Sequence, residues 1–202
     1  MKVKNQPKGP AAPNHRAGEG ILYDVEAGPV TDRDLPGLRS QTFGIKLNEA
    51  AVPDRKYAAS AYAVVATGQD VVHFVFGQQK LVGDGLRSML DIQLTRKQAE
   101  NFIASIEGKS WDAVRSTPPF RLNEEPEQTI GLVASFAIGA ATEEDGTLDF
   151  YYASAFTLRN IALGAKKAPV EGVVRVTMAA GLFHGILEHV RKVLNTGETT
   201  KS

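Results

Sequence analysis

Aromatic and basic residues occur together in two parts of the chain, and their chemistry suits single-stranded nucleic acid. Aromatic residues that could stack on bases are Phe74 and Phe76 in the first part, and Phe150, Tyr151, Tyr152 and Phe156 in the second. Basic residues that could contact phosphates follow each group: Lys80 and Arg87, then Arg159, Lys166 and Lys167. Stacking on an aromatic ring contributes about 1–3 kcal/mol per base, and cations neutralise the phosphates. The alternative interpretation is that the rings fill a core and the basic side chains are merely solvated.

Two histidine positions carry residue types that could support metal binding or catalysis. His184 and Glu188 are four residues apart, which can place two metal ligands on one face of a helix. The apolar stripe of that helix predicts that both face solvent, and no third ligand lies nearby. His73 could act as a general base, but the sequence places no serine or carboxylate around it, so we interpret it as a half-exposed sheet residue. We expect no metal site, no cofactor and no catalytic centre.

Composition narrows the class of protein. Of the 202 residues, 43% are hydrophobic and 23% charged, which is ordinary for a globular chain. Without cysteine there can be no disulfide, thiolate zinc site or cysteine nucleophile. The 23 basic and 23 acidic residues cancel, so an anionic partner has to be bound by a local patch. No signal-peptide pattern and no apolar run of the ~20 residues that span a bilayer are present, so we expect a cytoplasmic, non-membrane protein.

Hydrophobic periodicity predicts three strands followed by one helix in residues 57–108. Two apolar runs separated by turn residues precede a third strand around Leu90, in which apolar and polar residues alternate. The period then changes to that of a helix, where Thr95 and Gln98 are spaced as a capping box. This segment is therefore a βββα unit.

The same order of elements returns in residues 130–195. The pattern predicts strands at Val133–Ala141 and Leu148–Leu158, then a third strand and an amphipathic helix. Residues 59–61 match residues 134–136 at an offset of 75, and the third strands and helices match at an offset of 84. We therefore predict an α+β fold of two βββα repeats related by a pseudo-twofold axis, with antiparallel sheets that are each followed by one helix.

The remaining segments lie outside these two repeats. We expect a flexible basic Pro/Gly arm at 1–20, a mixed N-terminal extension at 21–56 with one short strand near 42–47, a linker at 109–129 and a disordered tail at 196–202.

The strand-to-helix passages resemble a known group of proteins. VVRVTMAAGLFHGILEHVRKVL at 173–194, and more faintly LDIQLTRKQAENFIASIEG at 90–108, are similar to the PUR and Whirly group of single-stranded nucleic-acid-binding proteins. The resemblance implies one nucleic-acid strand bound across the sheets, and its stacking candidates are Phe74, Phe76, Tyr151 and Tyr152. Those families usually have four strands in each repeat, whereas the sequence here predicts three.

Two classes of function remain open from the sequence. The first is a non-enzymatic binding protein for single-stranded DNA or RNA, with the basic arm folding on the ligand. The alternative is a structural or assembly subunit, in which strand edges and the N-terminal arm join copies or partner chains into a homo- or hetero-oligomer. Neutral net charge favours the alternative.

Overall fold

A computed structural model describes residues 22–29, 43–47, 52–68, 70–82, 85–106, 115–120, 126–163 and 167–196. The predicted arm at 1–20, the tail from residue 197 onward and Lys166 lie outside these ranges. In chain order the elements are β1 (Leu22–Pro29), β2 (Phe43–Leu47), β3 (Lys56–Ala58), β4 (Ala61–Thr67), β5 (Val71–Gln79), β6 (Leu86–Thr95), α1 (Arg96–Ile106), β7 (Gln128–Val133), β8 (Phe136–Ala141), β9 (Asp145–Tyr152), α2 (Ala155–Ala162), β10 (Lys167–Pro169), β11 (Glu171–Ala179) and α3 (Ala180–Thr196).

Two four-stranded sheets form the body of the fold, which confirms the α+β class. The first sheet has the order β4-β5-β6-β7 and the second has the order β3-β11-β9-β8. Neighbouring strands are antiparallel except at one edge of each sheet, where β7 runs parallel to β6 and β3 runs parallel to β11. Each parallel edge strand comes from the other half of the chain. A third, smaller sheet has the order β10-β1-β2.

The number of strands differs from the sequence prediction, which gave each sheet three. One additional strand, Lys56–Ala58, is too short to show a period. The other, Gln128–Val133, was missed because the prediction assigned 128–129 to the linker and began the next strand at Val133, and only Ala134 and Ser135 separate it from β8. Ser135 bends the chain there, since its Oγ donates to Ala153 O at 2.8 Å and accepts from Ala153 N at 3.1 Å.

The core lies between the two four-stranded sheets, whose inner faces pack against each other. Alternation along the strands sends large apolar side chains to these faces, and the fully buried ones include Val72, Phe74, Phe76, Leu90, Ile92, Leu94, Leu148, Phe150, Val174 and Val176. The ring of Phe150 lies edge-to-face against Phe74 and Phe76, with centroid distances of 5.8 and 5.9 Å. These aromatic contacts join the two sheets directly.

The two longer helices cover the remaining sides of this core. At the start of α1 the predicted capping box is confirmed: Thr95 N donates to Gln98 Oε1 at 2.8 Å, and Gln98 N donates to Thr95 Oγ1 at 3.3 Å. α1 packs against β8, while α3 packs against β4 and β9. Among the described residues, no helix combines the length and apolar character that crossing a membrane requires.

Residues 115–120 lie against α3 at a point where two glycines are one helical turn apart. Thr117 N donates to Gly181 O at 2.8 Å, and the Tyr62 hydroxyl donates to Thr117 O at 2.8 Å. A Cβ atom at Gly185 would overlap both Thr117 O and the Tyr62 hydroxyl oxygen. The two glycines therefore allow residues 115–120 to approach the helix backbone closely.

Candidate nucleic-acid interface

Three of the four stacking candidates that the PUR and Whirly resemblance implies have no exposed face. Phe74 and Phe76 are fully buried in the core. Tyr151 points to the other side of its sheet, but it is also buried and its ring stacks on Phe136 at a centroid distance of 5.2 Å. A ring that is covered on both faces cannot receive a base, so the structure removes these three residues from the candidate surface.

Tyr152 and Phe156 are the aromatic residues that do reach solvent in this part of the chain, with 46% and 73% of their surface exposed. The predicted strand Leu148–Leu158 is wrong, because β9 ends at Tyr152 and α2 begins three residues later. Ser154 caps the new helix: its Oγ accepts from Thr157 N at 3.1 Å. This cap turns Phe156 outward on the first turn of α2.

Arg159 and Leu163 extend the exposed side of α2. Phe156, Arg159 and Leu163 follow one another at spacings of three and four residues, which places them on one face of the helix, whereas Thr157 is buried on the opposite face. Leu163 N donates to Arg159 O at 3.0 Å, so the helical turn continues to this residue. We call Tyr152, Phe156, Arg159 and Leu163 the β9–α2 surface. Lys167 follows as the first residue of β10.

Lys80 and Arg87, the basic residues predicted in the first half, form a separate cluster with Glu127. Lys80 Nζ lies 2.8 Å from Glu127 Oε1, and Arg87 donates to the Gln78 side-chain oxygen. Hydrogen bonding and charge attraction from Lys80 lower the pKa of Glu127, with a smaller contribution from Arg87. Because Glu127 offsets part of the positive charge, this cluster suits a phosphate less well than Arg159 does.

The outward faces of both sheets carry charge pairs that sequence reasoning missed. His73 is half-buried as expected, but both Asp91 carboxylate oxygens lie 3.0 Å from its Nδ1. In the second sheet, Arg175 Nε and Nη2 donate to the two Asp149 carboxylate oxygens at 2.6 and 2.5 Å, which raises the pKa of Arg175. Each pair joins neighbouring strands, so only the strand register could have revealed it. Arg175 and Asp149 offset each other's charge on the outward face of the second sheet.

The prediction that His184 faces solvent is wrong. His184 is buried, and burial lowers its pKa. The six consecutive residues from Leu182 to Leu187 are all buried, because residues 115–120 cover a side of α3 that the apolar stripe left open. Glu188 remains exposed, and its carboxylate accepts a hydrogen bond from Ser116 Oγ at 3.1 Å. Within the described ranges, no group of three His, Asp or Glu side chains could share a metal ion.

Comparison with known proteins adds no family to this geometry. The chain matches no protein-family model, and no curated protein or solved structure is significantly similar to it. The resemblance to the PUR and Whirly group thus stays a prediction that depends on residues 90–108 and 173–194.

Proposed function

We propose that this chain binds single-stranded nucleic acid, without acting as an enzyme, and that the β9–α2 surface is the stacking platform. The observation that carries the proposal is the exposure of Tyr152 and Phe156, four residues apart, with Arg159 one helical turn further along. Two exposed rings can each stack on a base, and an arginine at their margin can contact the backbone between them.

The local charge around this platform supports the same ligand. Residues 150–170 contain three basic residues, Arg159, Lys166 and Lys167, and no acidic residue, although the whole chain is neutral. On α2, Arg159 is displaced from Phe156 by about 4.5 Å along the helix axis, a distance that its long side chain easily spans. The sequence around the exposed rings is therefore locally basic, which is what a neutral protein needs to hold a polyanion.

Fluorescence polarisation with a labelled oligothymidine at two salt concentrations tests the platform. Phe156→Leu keeps an apolar side chain but removes the ring, so it should weaken binding by about 5- to 150-fold, as the loss of one stacked base predicts. Arg159→Ala should reduce the slope of log K against log salt by about one, whereas Lys192→Ala, an exposed cation on α3, should leave it unchanged. No binding at low salt, or full affinity in Phe156→Leu, would contradict the proposal.

We further propose that the two sheets are two copies of one βββα unit related by a pseudo-twofold axis. Backbone hydrogen bonds recur at or within one residue of the offsets found in the sequence: Ala59 N donates to Thr177 O at 2.9 Å and Ala134 N to Gln93 O at 3.0 Å; Ser60 N donates to Gly77 O and Ser135 N to Tyr151 O; Arg96 N donates to Asp70 O and Ala180 N to Glu144 O. The acceptor pairs 77/151 and 70/144 have an offset of 74. On this alignment the loop at 80–85 corresponds to residues 154–169. α2, with Phe156, Arg159 and Leu163 of the β9–α2 surface, is then an insertion particular to the second copy.

A loop exchange tests this correspondence. In a variant where residues 154–169 are replaced by the six residues of 80–85, both four-stranded sheets should form, because neither sheet uses the deleted residues. Circular dichroism should therefore show a cooperative unfolding transition, and oligonucleotide binding should be lost. A variant that cannot fold would argue against equivalence of the two loops.

An assembly subunit is the second candidate, and one observation favours it. Leu81 and Val82 are 99% and 88% exposed at the end of the β5–β6 hairpin. Adjacent apolar side chains presented this way are suited to insertion into a partner's groove. Light scattering of nuclease-treated protein should then show an oligomer that Leu81→Ser with Val82→Ser dissociates, while an unchanged mass in that variant would exclude the loop as the contact.

A further inference from the structure

β7 presents one side of its backbone to solvent. Ala134 N donates to Gln93 O of β6 at 3.0 Å, and in a strand alternate residues point their amides to opposite sides. The N–H and C=O groups of Thr129, Gly131 and Val133 therefore point away from β6. Since β7 is the last strand of the first sheet, none of these groups has a partner among the described residues.

The β7 edge also lacks the features that usually prevent strand pairing. Gln128–Val133 contains no charged residue and no proline, and its register with β6 continues without a bulge. The edge strand β3, by contrast, is three residues long and begins with Lys56. At the β4 edge, Phe120 N of the segment 115–120 donates to Tyr62 O at 2.9 Å. β7 is thus unprotected, whereas β3 is short and β4 is covered; the remaining edge strand, β8, packs against α1.

We propose that β7 is a dimer interface, where two copies of this chain pair their β7 strands antiparallel across a twofold axis. The sheet β4-β5-β6-β7 of one copy then joins the same sheet of the other copy, which gives one continuous sheet of eight strands. The proposal gives the assembly alternative a defined strand and partner, and it is independent of the β9–α2 surface.

A second copy satisfies the edge because an identical antiparallel strand is self-complementary. With Gly131 on the axis, the three outward residues of each strand exchange up to about six hydrogen bonds. Val133, which is 60% exposed, then lies beside Thr129 of the other copy as a β-branched pair. The uncharged strand brings no like charges together. On the core side, Ile130 and Leu132 are only partly buried, and the added strand covers them further.

A pair of substitutions at Gly131 tests the interface in the full-length, nuclease-treated protein. A Cβ atom at this position meets nothing within 4 Å, so alanine fits without a clash, and an edge strand tolerates proline where its N–H faces solvent. Gly131→Pro removes the outward N–H, which β6 does not use, whereas Gly131→Ala retains it. By light scattering, the wild type and Gly131→Ala should have twice the 21.7 kDa chain mass, and Gly131→Pro should be monomeric.

Cross-linking gives a second readout that does not depend on how the proline variant folds. Because the chain has no cysteine, Gly131→Cys introduces a single thiol on the twofold axis, and Ser105→Cys places one on the exposed side of α1 as a control. A short bismaleimide should link Gly131→Cys into dimers and leave the control monomeric. A wild-type monomer, a dimeric Gly131→Pro, or equal linking of the control would overturn the proposal. Nucleic-acid binding, assayed separately, would be unaffected by that result.

Discussion

Replacing Gly185 with alanine should destabilise this protein, although alanine is the better helix former. On a solvent-exposed helix, the change would raise the free energy of unfolding by about 1 kcal/mol. Here the new Cβ atom would overlap Thr117 O and the Tyr62 hydroxyl, which are hydrogen-bonded to each other at 2.8 Å. One or both groups have to move, so residues 115–120 lose their close contact with α3.

The magnitude follows from three terms of known size. Breaking the hydrogen bond between Tyr62 and Thr117 costs about 0.5–1.5 kcal/mol. Forcing a methyl group into a filled site costs about 1–3 kcal/mol. After the gain of about 1 kcal/mol in helix propensity is set against these costs, Gly185→Ala should lower the free energy of unfolding by about 0.5–3.5 kcal/mol.

Urea denaturation followed by far-ultraviolet circular dichroism measures this change. Gly131→Ala is the matched control, since its Cβ meets nothing and its stability should stay within about 0.5 kcal/mol of the wild type. Combining Gly185→Ala with Tyr62→Phe should cost less than the sum of the single changes, because the second removes an atom of the clash. If Gly185→Ala proves as stable as the wild type or more so, the close approach of residues 115–120 is wrong.

Further predictions concern pH and helix capping, each measured by the urea midpoint. Burial raises the pKa of Tyr62 to about 12 from its usual 10. The stability that the neutral hydroxyl contributes is therefore complete below pH 10 and declines as the pH rises towards 12. Between pH 9 and 11, Tyr62→Phe should lose less stability than the wild type does. Burial lowers the pKa of His184 below its usual 6.5. The stability that the neutral imidazole contributes is therefore present above pH 6.5 and is lost as the pH falls. His184→Gln should reduce the fall in the free energy of unfolding between pH 7.5 and 5. Thr95→Ala removes half of the α1 capping box and should cost about 1 kcal/mol; no loss would show that the cap contributes nothing.

Elements with a strong local period could be predicted from the sequence. The strands around Leu90 and Val174, the helices that follow them and the capping box at Thr95 all depend on residues close together in the chain, so the pattern is complete in a short window. The parallel pairings of β3 and β7 could not be predicted this way, because they join residues from opposite halves of the chain. α2 was missed because its apolar and aromatic residues are as compatible with a strand as with a helix.

The candidate site shows the same division between local and long-range information. Arg159 and Tyr152 were chosen from residue type, and both are exposed in the structure. Phe74 and Phe76 share their chemistry but are buried, since exposure depends on which sheet face meets the core. The Ser154 cap was the one local signal that could have placed Phe156 on a helix and therefore on the surface.

The parallel edge strands have a consequence for how this chain is made and divided. β7 completes a sheet whose other strands were synthesised earlier, and β3 completes one whose other strands come later. Neither four-stranded sheet of a nascent chain can therefore be completed until residues beyond 128 have left the ribosome. A cut between α1 and β7 would yield two fragments. The N-terminal fragment would lack the edge strand β7, and the C-terminal fragment would lack the edge strand β3. Such fragments suit complementation, in which co-expression restores what neither piece forms alone.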